Sequence, residues 1–340
     1  MNASHWNNGR FYNPNASAPL RSFWDLLHWL CHRQPGPWPE WIPSSPGPKP
    51  PERVREGELR VTFIGHATVL VQMDGKNFLT DPIWSHRASP FSWIGPKRHR
   101  APGLRFEDIP PIDAILLSHD HYDHMDTPTL LRLRAAHRPR ILCSLGIGRR
   151  LQKLGFDAPD ELDWWQSLEF APALRIHCTP AQHFSGRAPW DRNRTLWCSW
   201  LIESRHGNVY FGGDTGLGPH FAEIARRYPP PRFALLPIGA FRPEWLMGPV
   251  HMSPDHALHA HRILGARASA GIHYGTFRLA DDGRAEAVDR LRALVAQSPM
   301  PEDFWILKEG IGRDVFPNEQ RHCAQEMMAW LPRRAGDEMR

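Results

Sequence analysis

Cysteine is scarce in this 340-residue chain. The five residues, Cys31, Cys143, Cys178, Cys198 and Cys323, are odd in number and contain no C-x-x-C pair. Neither a disulfide framework nor a thiolate zinc site is expected from such a set. Cys178 and Cys198 lie in apolar stretches and read as small core residues, which favours a reducing compartment. No apolar run is long enough to span a bilayer, and the amino terminus lacks the basic-then-apolar pattern of a secretory signal. The expectation is a cytoplasmic protein, at most peripheral to a membrane. Excess charge is also small. A net +5 favours anionic partners, but no basic strip with exposed aromatics stands out, so no nucleic acid is expected. Internal repeats are absent as well, and 41% hydrophobic residues suffice for one large core.

Proline and tryptophan, by contrast, crowd one end. Residues 1–53 read as an extension whose Pro-rich stretch, Gln34 to Pro51, excludes helix and inner strand. One short helix is expected before it, from Phe23 to His32, with apolar residues over most of its surface. Trp6, Trp24, Trp29, Trp38 and Trp41 fall in this segment. Tryptophan favours membrane interfaces, so the helix could make peripheral membrane contact and deliver a lipid. It could equally pack on its own domain or on a second subunit in a homodimer.

From Leu59 the pattern changes to strands. Leu59–Ile64 and Thr68–Met73 alternate, and Asp74-Gly75 turns the chain into Lys76–Thr80. Leu174–Cys178, Leu196–Glu203, Asn208–Phe211 and Phe233–Ile238 read as further strands. Helices are expected at Gly146–Leu154, Pro219–Arg227, Pro254–Leu264 and Arg284–Ala296, and after Thr127-Pro128, with Thr127 as the cap. Periodicity alone gives mixed α and β.

The chemistry concentrates in Ser118-His119-Asp120-His121-Tyr122-Asp123-His124, directly after the buried-strand run Ile112–Leu117. His and carboxylate ligands together suit zinc, and also iron or manganese. In an extended segment His119 and His121 point the same way and can grip one ion. Asp123 and His124 follow where the chain turns, so two ions side by side use the segment better than one. His183, Asp214 and His273 each stand just after an apolar run and complete a set of five His and two Asp. Asp214 is able to bridge both ions.

The order His119-x-His121-x-Asp123-His124, then His183, Asp214 and His273, resembles the ligand order of the metallo-β-lactamase superfamily. That resemblance implies an α/β fold, the αββα four-layer sandwich, over residues 54–340. It also implies two Zn2+, with His119, His121 and His183 on the first. Asp123, His124 and His273 would hold the second, with Asp214 between them. Further segments resemble the N-acyl-phosphatidylethanolamine-hydrolysing phospholipases D. They are Gly65-His66-Ala67-Thr68, Leu79-Thr80-Asp81-Pro82-Ile83, Arg87-Ala88-Ser89-Pro90 with Gly95-Pro96-Lys97-Arg98, Glu161-Leu162-Asp163-Trp164-Trp165, Pro237-Ile238-Gly239-Ala240 and His273-Tyr274-Gly275-Thr276-Phe277. Gly9-Arg10-Phe11 and Asn13-Pro14 extend the likeness toward the amino terminus.

A phospholipid substrate follows from that resemblance. Two zinc ions, offset by Asp123, Asp214 and a bridging hydroxide, leave a net positive centre suited to a phosphodiester. Paired metals roughly 3.5–4 Å apart can activate the attacking water and steady the leaving oxygen. Hydrolysis of N-acyl-phosphatidylethanolamine would give N-acylethanolamine and phosphatidic acid. A sugar-phosphate lactonase-like ester hydrolase and a nuclease are the alternatives on the same metals. Asp81 could orient a ligand or the nucleophile, or simply turn the chain before Pro82; His66 is open to the same two readings. His251 could act on the substrate side, or only precede the helix at Ser253-Pro254. Lys97, Arg98, Arg100 and Arg105 could attract headgroups or form a solvated loop. His5, His28, His86, His99, His259 and His261 are expected mostly at the surface.

Overall fold

The computed structural model describes residues 5–14, 23–298 and 303–316. Cys323 and the end of the expected 54–340 domain lie outside them. The chain begins with a small hairpin, β1 (Trp6–Asn7) and β2 (Arg10–Phe11), followed by helix α1 (Phe23–Cys31). Then come β3 (Leu59–Gly65), β4 (Thr68–Met73), β5 (Lys76–Thr80), β6 (Ala114–Leu117), α2 (Thr127–His137), β7 (Arg140–Ser144), α3 (Gly148–Lys153) and β8 (Asp160–Leu162). The second half adds β9 (Ser167–Ala171), β10 (Leu174–Thr179), β11 (Ser199–Ser204), β12 (Val209–Phe211), α4 (His220–Arg227), β13 (Phe233–Pro237), α5 (Glu244–Met247), α6 (Pro254–Leu264), β14 (Ser269–Ile272), α7 (Glu286–Gln297) and β15 (Phe304–Trp305). The last strand, β16 (Gly312–Asp314), returns to pair with β3. Two seven-stranded sheets result, one from β3–β8 with β16 and one from β9–β15.

Alternation along the strands explains the layers. Phe63, Val69, Val71, Phe78 and Leu116 point into the core shared with Ile176, Trp200, Tyr210 and Leu235 of the second sheet. Their neighbours Leu70, Leu79, Ile115 and Leu117 point the other way, under Leu130 and Leu133 of α2 and Leu151 of α3. On the far side, Phe221, Ile224, Leu258 and Leu291 bring α4, α6 and α7 against the second sheet. This is the αββα sandwich that the resemblance implied.

Strand direction then decides where chemistry can gather. β5 to β8 are parallel, as are β12 to β15, and β3 and β10 run the same way through one antiparallel neighbour each. The carboxyl ends of β3, β5, β6, β10, β12 and β14 therefore open at one edge. Gly213 (φ +58°) lets the β12 end close on the β6 end. A Cβ there would lie 2.6 Å from Ser118 Cβ.

Three sequence expectations need correction. The strand expected from Leu196 begins at Ser199, because Leu196 N and Cys198 N donate across to Leu145 O and Ser118 O of the first sheet. Asp126, not Thr127, caps α2, and its Oδ2 accepts from Ser85 Oγ and Thr129 Oγ1. His5, His99 and His261 are buried, each with a polar partner: Asp163, Pro39 O and Ser269. Burial of an imidazole is tolerable once its N–H is satisfied.

The amino-terminal segment is strapped to the sandwich by polar contacts. Trp29 is buried and its Nε1 donates to Asp281 Oδ2 at 2.8 Å. Arg33 Nε donates to the other oxygen at 2.8 Å, and Gln34 N also reaches this carboxylate. Trp38 Nε1 donates to Asp282 O, and Gly47 N to Gly103 O. No described helix is long and apolar enough to cross a membrane. Because one buried carboxylate holds helix and strap together, Asp281→Asn is expected to weaken the attachment of α1 by about 2 kcal/mol. Amide hydrogen exchange should speed up over residues 24–34 while the sheet amides stay protected; unchanged exchange there would refute the clasp.

Candidate metal centre

The strand ends bring all seven candidate ligands together. His119 Nε2 lies 2.8 Å from His121 Nδ1, and His183 Nε2 lies 3.3 Å from the same atom. Beside this trio, His124 Nε2 is 3.3 Å from Asp123 Oδ2 and 3.2 Å from Asp214 Oδ2. His273 Nε2 is 3.5 Å and 3.1 Å from the same two oxygens. Asp214 Oδ2 also sits 3.8 Å from His183 Nε2, so it stands between the two groups. Four elements thus converge: the loop after β6, and the ends of β10, β12 and β14.

Outer hydrogen bonds set the direction of each ring. His183 Nδ1 faces Val250 O at 2.9 Å; a carbonyl only accepts, so Nδ1 carries the proton and the Nε2 lone pair faces the centre. Asp81 does this for His124, whose Nδ1 is 2.6 Å from Asp81 Oδ2. Ser118 Oγ donates to that carboxylate at 2.5 Å and is left to accept from His119 Nδ1 at 2.9 Å. Ser118 N donates to Asp81 Oδ1. Asp81 is therefore used on both oxygens by groups that orient imidazoles. His66 Nε2 is 2.9 Å from Asp123 Oδ2, and its backbone oxygen accepts from His273 N. His66, Asp81 and His273 all have positive φ (58°, 29° and 61°), a strained backbone concentrated at this one edge.

Electrostatics divide the cluster. Burial and the neighbouring imidazoles hold His119 and His183 well below the usual histidine range, so both are neutral. Burial would raise Asp123 and Asp214, but the facing His124 and His273 outweigh it and hold both carboxyls well below their usual range. Conversely, burial opposes charge on His273, yet Asp214 and Asp123 raise it to about 9, and they raise His124 as well.

A metal fits this donor set. Lone pairs of His119 and His183 both converge on His121 Nδ1, which can donate its one proton fully to only one of them, whereas a cation would satisfy all three rings. His124 Nε2, His273 Nε2 and Asp214 Oδ1 are buried with no hydrogen-bond partner among the described residues. His119, His121 and His183 form one candidate ligand group, and His66, Asp123, His124 and His273 form another. Imidazole with carboxylate suits divalent zinc, iron or manganese.

Other residues take roles that spacing alone did not show. Asn13 Nδ2 donates to His183 O at 2.8 Å while its Oδ1 accepts from Trp197 Nε1. Phe184 packs its ring 4.6 Å from His121 and 4.7 Å from His183. His251 Nδ1 is 3.8 Å from Asp214 Oδ2 and has no hydrogen-bond partner among the described residues. The four cations of the 97–105 stretch are already committed. Lys97 pairs with Glu40, Arg100 with Glu309 and Arg105 with Asp108, while the buried Arg98 guanidinium donates to Ser85 O and Ile83 O.

Residues 76–274 match the family model described as Beta-lactamase superfamily domain. An uncharacterized protein of Mycobacterium tuberculosis is 40% identical over 259 residues, covering 74% of this chain and 68% of its own. A Caenorhabditis elegans protein named N-acyl-phosphatidylethanolamine-hydrolyzing phospholipase D 1 is 38% identical over 252 residues, 71% of this chain and 70% of its own. Among solved structures, an isothiocyanate hydrolase from Delia radicum gut bacteria superposes with a TM-score of 0.59. It is 21% identical and covers 75% of this chain and 98% of its own, a likeness of fold alone.

The charge state of the metal-free cluster can be checked directly. At pH 7 a His273 with pKa about 9 is protonated, as is His124, and ligation requires both neutral. Zinc uptake at pH 7 is therefore expected to release about two protons. Affinity should rise as pH approaches 9. Calorimetry in two buffers of different ionisation enthalpy reads the number; zinc binding without proton release would contradict the assignment.

Proposed function

This chain belongs to the metallo-β-lactamase superfamily, and on that premise we propose that it is a dinuclear zinc phosphodiesterase of the phospholipase D type. Its substrate would be a glycerophospholipid such as N-acyl-phosphatidylethanolamine, cleaved to N-acylethanolamine and phosphatidic acid. The observation that carries the metal count is the doubled donor set with Asp214 shared between its halves. His119, His121 and His183 would hold one zinc, and Asp123, His124 and His273 the other. When bound, the metal pair would supply an activated water and positive charge for the diester and its leaving oxygen.

The chain's own residues prepare this chemistry. Asp81 fixes His124 and, through Ser118, His119. Asp123 and Asp214 are ionised before any metal arrives, so no carboxyl proton has to be displaced. His251 is held to about 4, chiefly by burial, and is neutral at pH 7. Its ring, unpartnered at Nδ1, can hold a hydrogen bond to a phosphoryl or leaving-group oxygen without repelling the metals.

A lipid substrate is supported by the surface around the edge. Trp24, Trp93 and Trp190 are 73%, 72% and 73% exposed. Leu26, Leu27 and Leu30 on α1, and Phe91 and Ile94 beside Trp93, are exposed with them. The loops of Trp93 and Trp190 follow directly from Asp81 and His183, and α1 is clasped by the chain after His273. Exposed Trp-bearing segments of this kind suit a peripheral enzyme that meets its substrate at a membrane interface.

Mass spectrometry of products from N-acyl-phosphatidylethanolamine in mixed micelles tests the reading. The zinc-loaded protein should release N-acylethanolamine and phosphatidic acid; Asp214→Asn should release neither. His251→Ala is expected to lower kcat about a hundredfold with the metals retained. A protein shown to hold two zinc ions that leaves this lipid intact would sink the substrate.

A further inference from the structure

Two arginines far apart in the sequence, Arg10 and Arg192, meet beside the metal centre. Phe184 packs on His121 and His183, and Arg192 lies over its outer face, with Cζ 4.5 Å from the ring centroid. Arg10 reaches the same place from β2, donating from Nη1 to Arg192 O. The positions are held firmly. Asp191 Oδ1 accepts from Arg187 N and Ala188 N, Asn193 N donates to Ser185 O, and Phe11 N donates to Asn193 O at 2.8 Å. The amino-terminal hairpin is thus sewn to the loop that carries Arg192.

No described carboxylate pairs with either guanidinium. Asp191, the nearest acid in sequence, is used by Arg150 at 2.7 Å and by the loop's own amides. Burial, and after it the charge of Arg10, lower the pKa of Arg192, so the second guanidinium adds to the cost of charge there. Contact with the aromatic ring offsets part of that repulsion. An oxyanion would offset the rest.

We propose that Arg10 and Arg192 form an anion subsite on the rim of the metal centre, and that it binds a second oxyanion, a carboxylate or phosphate, carried by the substrate. The inference rests on the phosphodiester reading above and narrows it. Glycerophospholipids with an anionic headgroup are favoured over N-acyl-phosphatidylethanolamine, whose only anion is the scissile diester and which would be turned over with weaker binding. Arg192 is a specificity-determining residue in this account, and Phe184 is the platform that places it.

The test measures binding, so it does not depend on turnover. Glycerophosphoethanolamine and glycerophosphoserine differ by one carboxylate, and each is titrated calorimetrically into the zinc-loaded full chain. The serine diester should bind about tenfold more tightly. Arg192→Gln and Arg10→Gln should each erase that preference, leaving zinc content and affinity for the ethanolamine diester unchanged. Arg192→Lys should restore only part of it. Equal binding of the two diesters to the wild type, or a preference that survives both glutamine variants, overturns the proposal. Inorganic phosphate separates the two sources of such an anion. Phosphate binding that depends on both arginines, with the diesters not discriminated, would assign the subsite to a free anion and overturn its substrate role. Failure of the phosphodiesterase reading looks different: neither diester is hydrolysed, whatever their relative affinities.

Discussion

Five imidazoles and two carboxylates gathered at one edge, all buried except the half-buried His121 and Asp123, impose the constraint that the rest of this structure serves. Each group taken singly would be costly to bury. The cost is limited because several outer atoms are tied: His183 to Val250 O, His124 and Ser118 to Asp81, His66 to Asp123. What remains facing inward is the lone pairs of His119 and His183, two negative carboxylates and the protonated His124 and His273, whose protons a bound cation would replace. Preorganisation of this kind is bought with backbone strain at His66, Asp81 and His273.

The sheets make the concentration possible. Parallel pairing sends strand ends from two sheets to the same edge, and the close approach of Gly213 to Ser118 joins them. Cys198 N and Leu196 N extend the joint by bonding to the opposite sheet before β11 begins. A displacement of either sheet would separate His119 from His183 and His124 from Asp214. Fold stability and the geometry of the centre are therefore the same set of contacts at this edge.

The amino-terminal segment takes part as well. Asn13 holds the backbone of His183, Phe11 joins the core, and Arg10 is delivered to Arg192. Farther on, the Asp281 carboxylate clasps α1 through Trp29 and Arg33, leaving the remaining described apolar residues of the helix outward. Together these contacts tie the amino-terminal segment to the backbone of His183 at one point and to the chain after His273 at another.

Much was legible because metal ligands must follow strands closely to be rigid. The cluster 119–124, with His183, Asp214 and His273 after their apolar runs, could be singled out in sequence for that reason. The long alternating strands β3 to β5 were equally plain. The short strands β8, β15 and β16 carry too few residues for a period to show, and they exist through pairing with neighbours. Nor could composition distinguish the buried His5, His99 and His261 from surface histidines, since their partners lie far along the chain or across a turn. The same holds for Arg98, whose charge suggested a headgroup contact until its carbonyl partners appeared. Sequence alone determined which groups could do chemistry and which segments could be rigid. Tertiary structure decided which of them meet, because contacts such as Asn13 with His183, Asp81 with His124 and Arg10 with Arg192 depend on how two sheets and a strap pack, which no local pattern encodes.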